Sequence, residues 1–352
     1  MKLDLVMIVK DAASTLPRCL ESFRTEVDDI IIIDTGSSDD TQTVAKRYDS
    51  KIYQIPWENN FAKARNAALQ KSDADWRLVI DSDEYLTAGN NLKKAILEQQ
   101  ALHASFVGRL RIRSKFQTNG NIQYENSYVS RILPREAFYE GAIHEQVVHP
   151  GLPIIQFDGF VVDHDGYFGS HKSERNIPIL MDLLESEPNS FYHLFQLARE
   201  HRNVKQFESA HQLLTKALQI CPATSSIFPM LIVDLIYNCI ELKYFEQGLY
   251  TIERYESQLA WYPDFHFACG IFYMKWILYD PSKFLYFPRI ETAYLRCLSL
   301  GDENITTSVE GTGSYLAAHN LASLYKASGN LEKAKIYQHL ETKWRKDHRI
   351  SF

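Results

Sequence analysis

Cysteine is scarce and scattered. Cys19, Cys221, Cys239, Cys269 and Cys297 are odd in number and show no metal-ligand spacing. That excludes a disulfide-stapled scaffold and a thiolate zinc site. It fits buried thiols in a reducing cytosol, so a cytoplasmic protein is expected. Long apolar runs are missing as well. Residues 1–10 have a strand's length and carry Asp4, and the run 267–278 is broken by Lys275. Neither suits a signal peptide or a spanning helix, so no transmembrane segment is expected. There is no basic tract, and the formal net charge is −6. Nucleic acid and anionic membranes are therefore poor partners.

What is present is an ordinary globular composition, with 45% apolar residues in 352. That length supports two domains, each with its own core. The first half alternates strand and helix patterns. Residues 5–9 read as a strand, and Ser14 is placed to cap a helix from Leu16 to about Thr25. Residues 29–33 are a continuous β-branched run, the pattern of a strand covered on both faces. The run ends in Asp34-Thr35-Gly36-Ser37, followed by a helical stretch over 41–48 and a third strand over 51–55. An acid such as Asp34 at a strand's carboxyl end can accept hydrogen bonds from ribose hydroxyls or a uracil N–H. It is equally suited to capping its own turn.

Residues 56–69 read as a loop feeding a helix, with Arg65 and Asn66 early in that helix. A guanidinium there can reach a diphosphate bidentately, or lie on a solvated helix face. Trp76-Arg77-Leu78-Val79-Ile80 then reads as a buried strand ending in Asp81-Ser82-Asp83-Glu84. Two carboxylates one residue apart are costly to bury unpaired. They suit the cleft at the carboxyl ends of a parallel sheet, where they can offer oxygen ligands to Mg²⁺ or Mn²⁺. Alone, such a pair is more often an acidic surface turn. A helix over 92–102 and two alternating stretches, 104–114 and 121–133, follow, with Gly120 as a hairpin signal. Ile143-His144-Glu145 and Val161-Val162-Asp163-His164-Asp165-Gly166-Tyr167 close this half.

Four of these motifs in this order, Asp34-Thr35-Gly36-Ser37, Phe61-Ala62-Lys63-Ala64-Arg65-Asn66, Asp81-Ser82-Asp83-Glu84 and Ile143-His144-Glu145, resemble family 2 glycosyltransferases of the GT-A fold. The resemblance is strongest to the branch with lipooligosaccharide β-glucosyltransferases and bacteriocin peptide glycosyltransferases. It implies a Rossmann-like α/β domain that binds a UDP-sugar, UDP-glucose or UDP-N-acetylglucosamine, with Mg²⁺ or Mn²⁺. It places Asp34 at the nucleoside, Arg65 or Asn66 beside the nucleotide-sugar, Asp81 near the ribose or metal, and Asp83 on the metal. His164 is the candidate second metal ligand, or a partner of the leaving diphosphate. His144 and Tyr167 are candidates for the sugar or diphosphate pocket. Glu145 is the candidate base that takes the acceptor's proton. Many relatives carry a second acid after the first at the nucleoside turn. This chain has Thr35, which leaves open which residue reads the base.

Beyond Pro188 the pattern is almost wholly helical. Leu197, Phe207, Glu208 and Ala210 recur 38 residues on as Leu235, Phe245, Glu246 and Gly248, and again as Leu321, Leu331, Glu332 and Ala334. Residues 264–278 and 290–300 fit a further helix pair between these copies. The period resembles lengthened tetratricopeptide repeats, against the alternative of an irregular bundle. The expected organisation is a GT-A domain over 1–185 and an all-α repeat domain over 186–352. The expected activity is inverting transfer of a hexose to a Ser, Thr or Cys side chain of a protein or peptide recruited by the repeats, which also suit dimerisation. Three rivals remain at this level: transfer to a cell-envelope saccharide, a non-catalytic repeat adaptor with a degenerate domain, and a nucleotidyltransferase. The last lacks a Gly-rich basic loop near the first strand.

Overall fold

The structure, a computed structural model, describes residues 1–118, 121–165, 171–302 and 307–350. The chain divides into two compact units, Met1–Gly169 and Ser170–Ser351. The first runs β1 (Leu3–Val9), α1 (Leu16–Phe23), β2 (Asp29–Asp34), α2 (Thr41–Lys46), β3 (Lys51–Gln54), α3 (Phe61–Lys71), β4 (Trp76–Val79), β5 (Glu84–Ala88), α4 (Leu92–Gln100), β6 (Val107–Thr118), β7 (Asn121–Pro134), β8 (Phe138–Glu140), β9 (Gln146–Val148) and β10 (Ile154–His164). The main sheet has the order β3-β2-β1-β4-β7-β6-β10-β5. β3, β2, β1 and β4 are parallel neighbours, and β7 joins them antiparallel through β4. β8 and β9 form a separate antiparallel pair.

The run Ile30-Ile31-Ile32-Ile33 is buried throughout, and its alternation feeds both faces of the sheet. Ile30 and Ile32 pack with Leu3, Leu5 and Met7 of β1 and with Leu16, Leu20 and Phe23 of α1. Ile31 and Ile33 pack with Val6 and with Ala62, Ala68 and Leu69 of α3. Each fully buried branched side chain stabilises by about 1.5–3 kcal/mol relative to exposure. The two layers thereby hold the strand ends, and with them the acidic turns, in fixed positions. This mixed sheet is the expected GT-A arrangement. The expected hairpin forms from β6 and β7, and its Gly120 lies outside the described residues, as does Tyr167.

Two features differ from expectation. Glu84 is not in an open turn: it begins β5, which pairs antiparallel with β10, Glu84 opposite His164. A short edge strand paired with a segment far along the chain leaves no local pattern to read. The division between units also falls at 169/170, rather than at 185/186. α5 (His171–Ser186) belongs to the helical unit with α6 (Phe191–Asn203), where Glu200 accepts from Ser173 Oγ at 2.6 Å and from Asn176 Nδ2 at 2.7 Å.

The second unit continues with α7 (Phe207–Ile220), α8 (Phe228–Leu242), α9 (Phe245–Tyr255), α10 (Pro263–Tyr279), α11 (Phe287–Leu300), α12 (Tyr315–Ala327) and α13 (Leu331–Ile350). From α6 onward the helices pair as α6–α7, α8–α9, α10–α11 and α12–α13, a tetratricopeptide-like array. Phe207, Phe245 and Leu331 each open the second helix of a pair. Ala210 and Ala334 are buried three residues further in, and at Gly248 an added Cβ would stand 2.3 Å from the Phe272 ring. The recurring small residue is therefore buried in each copy, and at Gly248 it leaves room for a ring of the following helix. Among the described residues no helix is long and apolar enough to cross a membrane.

Candidate active site

The site gathers where β4 ends. Trp76, Leu78 and Ile80 face the layer of α1, while Val79 faces that of α3. Continued alternation turns Asp81 toward α3. That helix is fixed at its start by the Asn60 side chain, which accepts from Lys63 N–H at 2.8 Å. Phe61 N–H also donates to Ala142 O at 2.7 Å, tying the bend after β8 to the same helix end. Arg65, one turn in, donates through Nη2 to Asp81 Oδ1 at 2.8 Å and through Nε to Glu145 Oε1. Three segments distant in sequence thus meet on one guanidinium. The residue before Glu145, His144, has φ 50°. A non-glycine residue in that region costs about 1–2 kcal/mol, and strain of this kind collects at functional sites.

Arg131 completes the cluster and was not legible in the sequence. In the β6–β7 ladder Gly108 stands opposite Ile132 and Arg109 opposite Ser130, so Arg131 is the extra residue of a β-bulge. The strands approach closely there: a Cβ on Gly108 would lie 2.8 Å from Ile132 Cβ. From the bulge, Arg131 Nη2 donates to Asp81 Oδ2 at 3.0 Å and to Glu84 Oε1. Glu84 Oε2 in turn accepts from Asp81 N–H at 3.0 Å. The result is an alternating chain, Glu145–Arg65–Asp81–Arg131–Glu84. Its only local hint is a lone arginine directly before the apolar pair Ile132-Leu133 of β7.

Electrostatics follow from this packing. Burial works to raise the Asp81 carboxyl, but the guanidiniums of Arg65 and Arg131 outweigh it and hold Asp81 well below the usual carboxylate range. For Glu84 burial wins, and its carboxyl is raised despite Arg131. Burial also pushes the Tyr139 phenol up to about 12. Tyr139 lies under Arg65, whose guanidinium carbon is 5.7 Å from the ring centre.

Asp83 points the other way. Its Oδ2 lies 3.5 Å from His164 Nε2, and Ser114 Oγ lies 3.2 Å from the ring's Nδ1. His164 and Ser114 are paired across β10 and β6, so the sheet register sets this contact. Burial lowers the His164 imidazole, but the hydrogen bond and charge of Asp83 outweigh it, and the group is raised above its ordinary value. The pair fits a divalent cation of the Mg²⁺ or Mn²⁺ kind. One carboxylate oxygen and one oriented imidazole nitrogen face each other, and such ions complete their shell with phosphate oxygens and water. Asp81 does not complete that set, since both of its oxygens are taken by arginines. Among the described residues three ligand-type atoms cluster within 4.8 Å only at Asp4, Asp29 and Asp73. That cluster lies at the opposite strand ends, where the Lys2 ammonium is 2.8 Å from Asp29 and 3.7 Å from Asp4.

The remaining expected residues sit apart from these contacts. Asp34 is fully buried and caps its own turn: Oδ1 accepts from Gly36 N–H at 3.0 Å and Ser37 N–H at 2.8 Å, and Oδ2 from Gln42 Nε2 at 2.6 Å. Thr35 Oγ1 donates to Val9 O at 3.0 Å. Asn66 forms a two-way clamp on Tyr139, donating to its carbonyl at 2.8 Å and accepting from its N–H at 2.9 Å. The clamp holds β8 against α3, upstream of His144 and Glu145.

Residues 4–161 match the description Glycosyl transferase family 2. The chain is 31% identical over 177 residues to a TPR repeat-containing protein of Synechococcus elongatus, covering 47% of this chain and 42% of the relative. It is 26% identical over 223 residues to the SPbeta prophage-derived glycosyltransferase SunS of Bacillus subtilis, covering 60% of this chain and 52% of the relative. The chain spans about half the length of these curated relatives. The solved structure of S. aureus TarS 1–349 in complex with UDP is similar over 70% of this chain and 92% of its own, at 15% identity and a TM-score of 0.39. Nearly all of the first unit is thus similar to glycosyl transferase family 2, and in this chain it is joined to a tetratricopeptide-like helical unit.

Proposed function

We propose that this protein is an inverting glycosyltransferase that moves a hexose from UDP-glucose or UDP-N-acetylglucosamine to a Ser, Thr or Cys side chain of a protein or peptide recruited by the helical unit. One observation carries the reading. Within the domain similar to family 2, a strand-end turn presents Asp83 to His164 while its neighbour Asp81 is tied through Arg65 to Glu145. A pair able to hold a cation and a separate carboxylate in one domain suit sugar transfer from a nucleotide diphosphate.

In this mechanism Glu145 takes the proton from the acceptor hydroxyl as its oxygen attacks the anomeric carbon. The new C–O bond forms as the bond from that carbon to the diphosphate oxygen breaks, so configuration inverts and UDP leaves. Asp83 and His164 would hold Mg²⁺ or Mn²⁺, which neutralises charge developing on the diphosphate. Arg65 and Arg131 keep Asp81 ionised, and Asn66 fixes the segment that carries Glu145. A cysteine acceptor ionises more readily than an alcohol and depends less on the base.

The test is direct. The protein is incubated with a panel of UDP-sugars and Mn²⁺ and assayed for UDP release. Ser-, Thr- and Cys-containing peptides and a lipid-linked glycan are then supplied side by side. Sugar transfer to peptide supports the reading; transfer to the glycan alone replaces the acceptor class; no UDP release from any donor removes the transferase reading.

A further inference from the structure

Arg65 stands in the helix where a diphosphate contact was expected, yet its surroundings do not suit one. The residue is 7% exposed. Its Nε and Nη2 are engaged by Glu145 and Asp81, and its Nη1 is buried without a hydrogen-bond partner. A phosphate oxygen could reach Nε or Nη2 only by breaking one of two part-buried ion pairs, and Nη1 has no accessible surface to offer it. We propose that Arg65 is instead a positioning residue: it sets the place of the candidate base Glu145 relative to Asp81. This rests on the transferase reading above and deepens it.

The physical case is the alternation of charge. Glu145, Asp81 and Glu84 are three carboxylates interleaved with two guanidiniums, Arg65 and Arg131. Asp81 is gripped on both oxygens, so it is the fixed centre of the chain. Glu145 comes from the bend between β8 and β9, and Arg65 is what links it to Asp81. A planar fork transmits direction as well as charge, because two of its N–H groups point along fixed lines. Lysine supplies a point charge and cannot hold both partners at set angles. Without Arg65, two carboxylates would face each other with no cation between them, and Glu145 would turn away. Members of one hydrogen-bonded network are non-additive on mutation.

The experiment uses the full chain with UDP-glucose and Mn²⁺, scoring UDP release to water or to Ser- and Cys-containing peptides, and UDP affinity by calorimetry. Arg65→Gln should lower kcat by on the order of 10²-fold, the scale of a misplaced base. UDP affinity should stay within about twofold, which also certifies the fold. Arg65→Lys should recover part of the rate. The double variant Arg65→Gln with Glu145→Gln should be no slower than Glu145→Gln alone. A loss of UDP affinity in Arg65→Gln with kcat retained at saturating donor would overturn the inference and return Arg65 to the diphosphate. Losses that multiply in the double variant would overturn it as well. Wild-type turnover by Glu145→Gln, or no turnover by the wild type, would instead remove the base reading, and this inference with it.

Discussion

His164 Nε2 lies 3.5 Å from Asp83 Oδ2, and Ser114 Oγ lies 3.2 Å from the other nitrogen of the same ring. The serine therefore orients the imidazole edge that faces Asp83. Asp83→Ala and His164→Ala should each abolish Mn²⁺-dependent turnover with the fold retained. Ser114→Ala should weaken Mn²⁺ affinity by about 10-fold or somewhat more, as loss of an orienting partner does. The sign with pH also follows. The raised imidazole keeps its proton above the ordinary value of about 6.5. A metal needs the neutral ring, so Mn²⁺ affinity should climb as pH rises through that range, with proton release on binding. Titration calorimetry in buffers of different ionisation enthalpy measures both. Unchanged Mn²⁺ affinity in His164→Ala would remove His164 from the metal site.

Asn66 and Tyr139 exchange two hydrogen bonds between a side chain and a backbone. Asn66→Asp keeps the acceptor for Tyr139 N–H but sets a carboxylate oxygen against the Tyr139 carbonyl. An unsatisfied buried acceptor costs about 1–3 kcal/mol. We expect lower stability and reduced turnover, with UDP affinity little changed, because the clamp holds the segment leading to Glu145. Tenfold weaker UDP binding at normal thermal stability would mean that Asn66 touches the donor.

Asp34 offers a second separation of stability from binding. Burial works to raise its carboxyl, but donors from Ser37, Gln42 and Gly36 outweigh it and hold it below the usual range. An unfolded aspartate ionises near pH 3.9. The stabilisation is therefore complete above that value and is lost as pH falls through the lower folded-state range. Asp34→Asn should be less stable at pH 7 by about 1–3 kcal/mol, the scale of hydrogen bonds to a charged group. Urea unfolding should show the gap narrowing toward pH 3. A stable variant that no longer binds UDP would place Asp34 at the nucleoside after all.

These contacts show which parts of the molecule were legible in the sequence. The β-branched run at Ile30–Ile33 announces a strand covered on both faces, and the acids that follow such runs mark the carboxyl edge of the sheet. The recurrence of Phe207, Phe245 and Leu331 at the starts of second helices was readable as a period. Arg131 was not, because a bulge is a misregister between two strands and has no signature in either one. Glu84 was read as part of an open turn because its strand partner lies in β10, far along the chain. α5 was read as part of the first domain. Its amphipathic pattern does not say which core it joins, and that choice rests on Ser173 and Asn176 meeting Glu200. Asp34 and Asn66 carry residue types that suit a donor site and a structural bond equally well, and only the geometry of their partners separates the two.

The helical unit has its own test at Gly248. The repeat pattern puts Ala210, Gly248 and Ala334 at equivalent places, yet only at Gly248 does an aromatic ring fill the space a methyl group would need, with Phe272 Cε2 2.3 Å from an added Cβ. Gly248→Ala improves helix propensity by about 1 kcal/mol. It also forces a buried ring or the helix backbone to move, which typically costs about 1–3 kcal/mol. Phe272 is fully buried and packs against Phe245 and Trp276, so it has little room to give. The overpacking should therefore prevail, and chemical unfolding followed by helical circular dichroism should show net destabilisation. Phe272→Leu alone should also destabilise, by leaving a cavity. Combined, the two changes should cost less than their sum, because the smaller side chain makes room for the methyl group. A Gly248→Ala protein that is more stable than the wild type would mean that the helices separate freely at this crossing. Strict additivity in the double variant would mean that Gly248 and Phe272 do not press on each other at all.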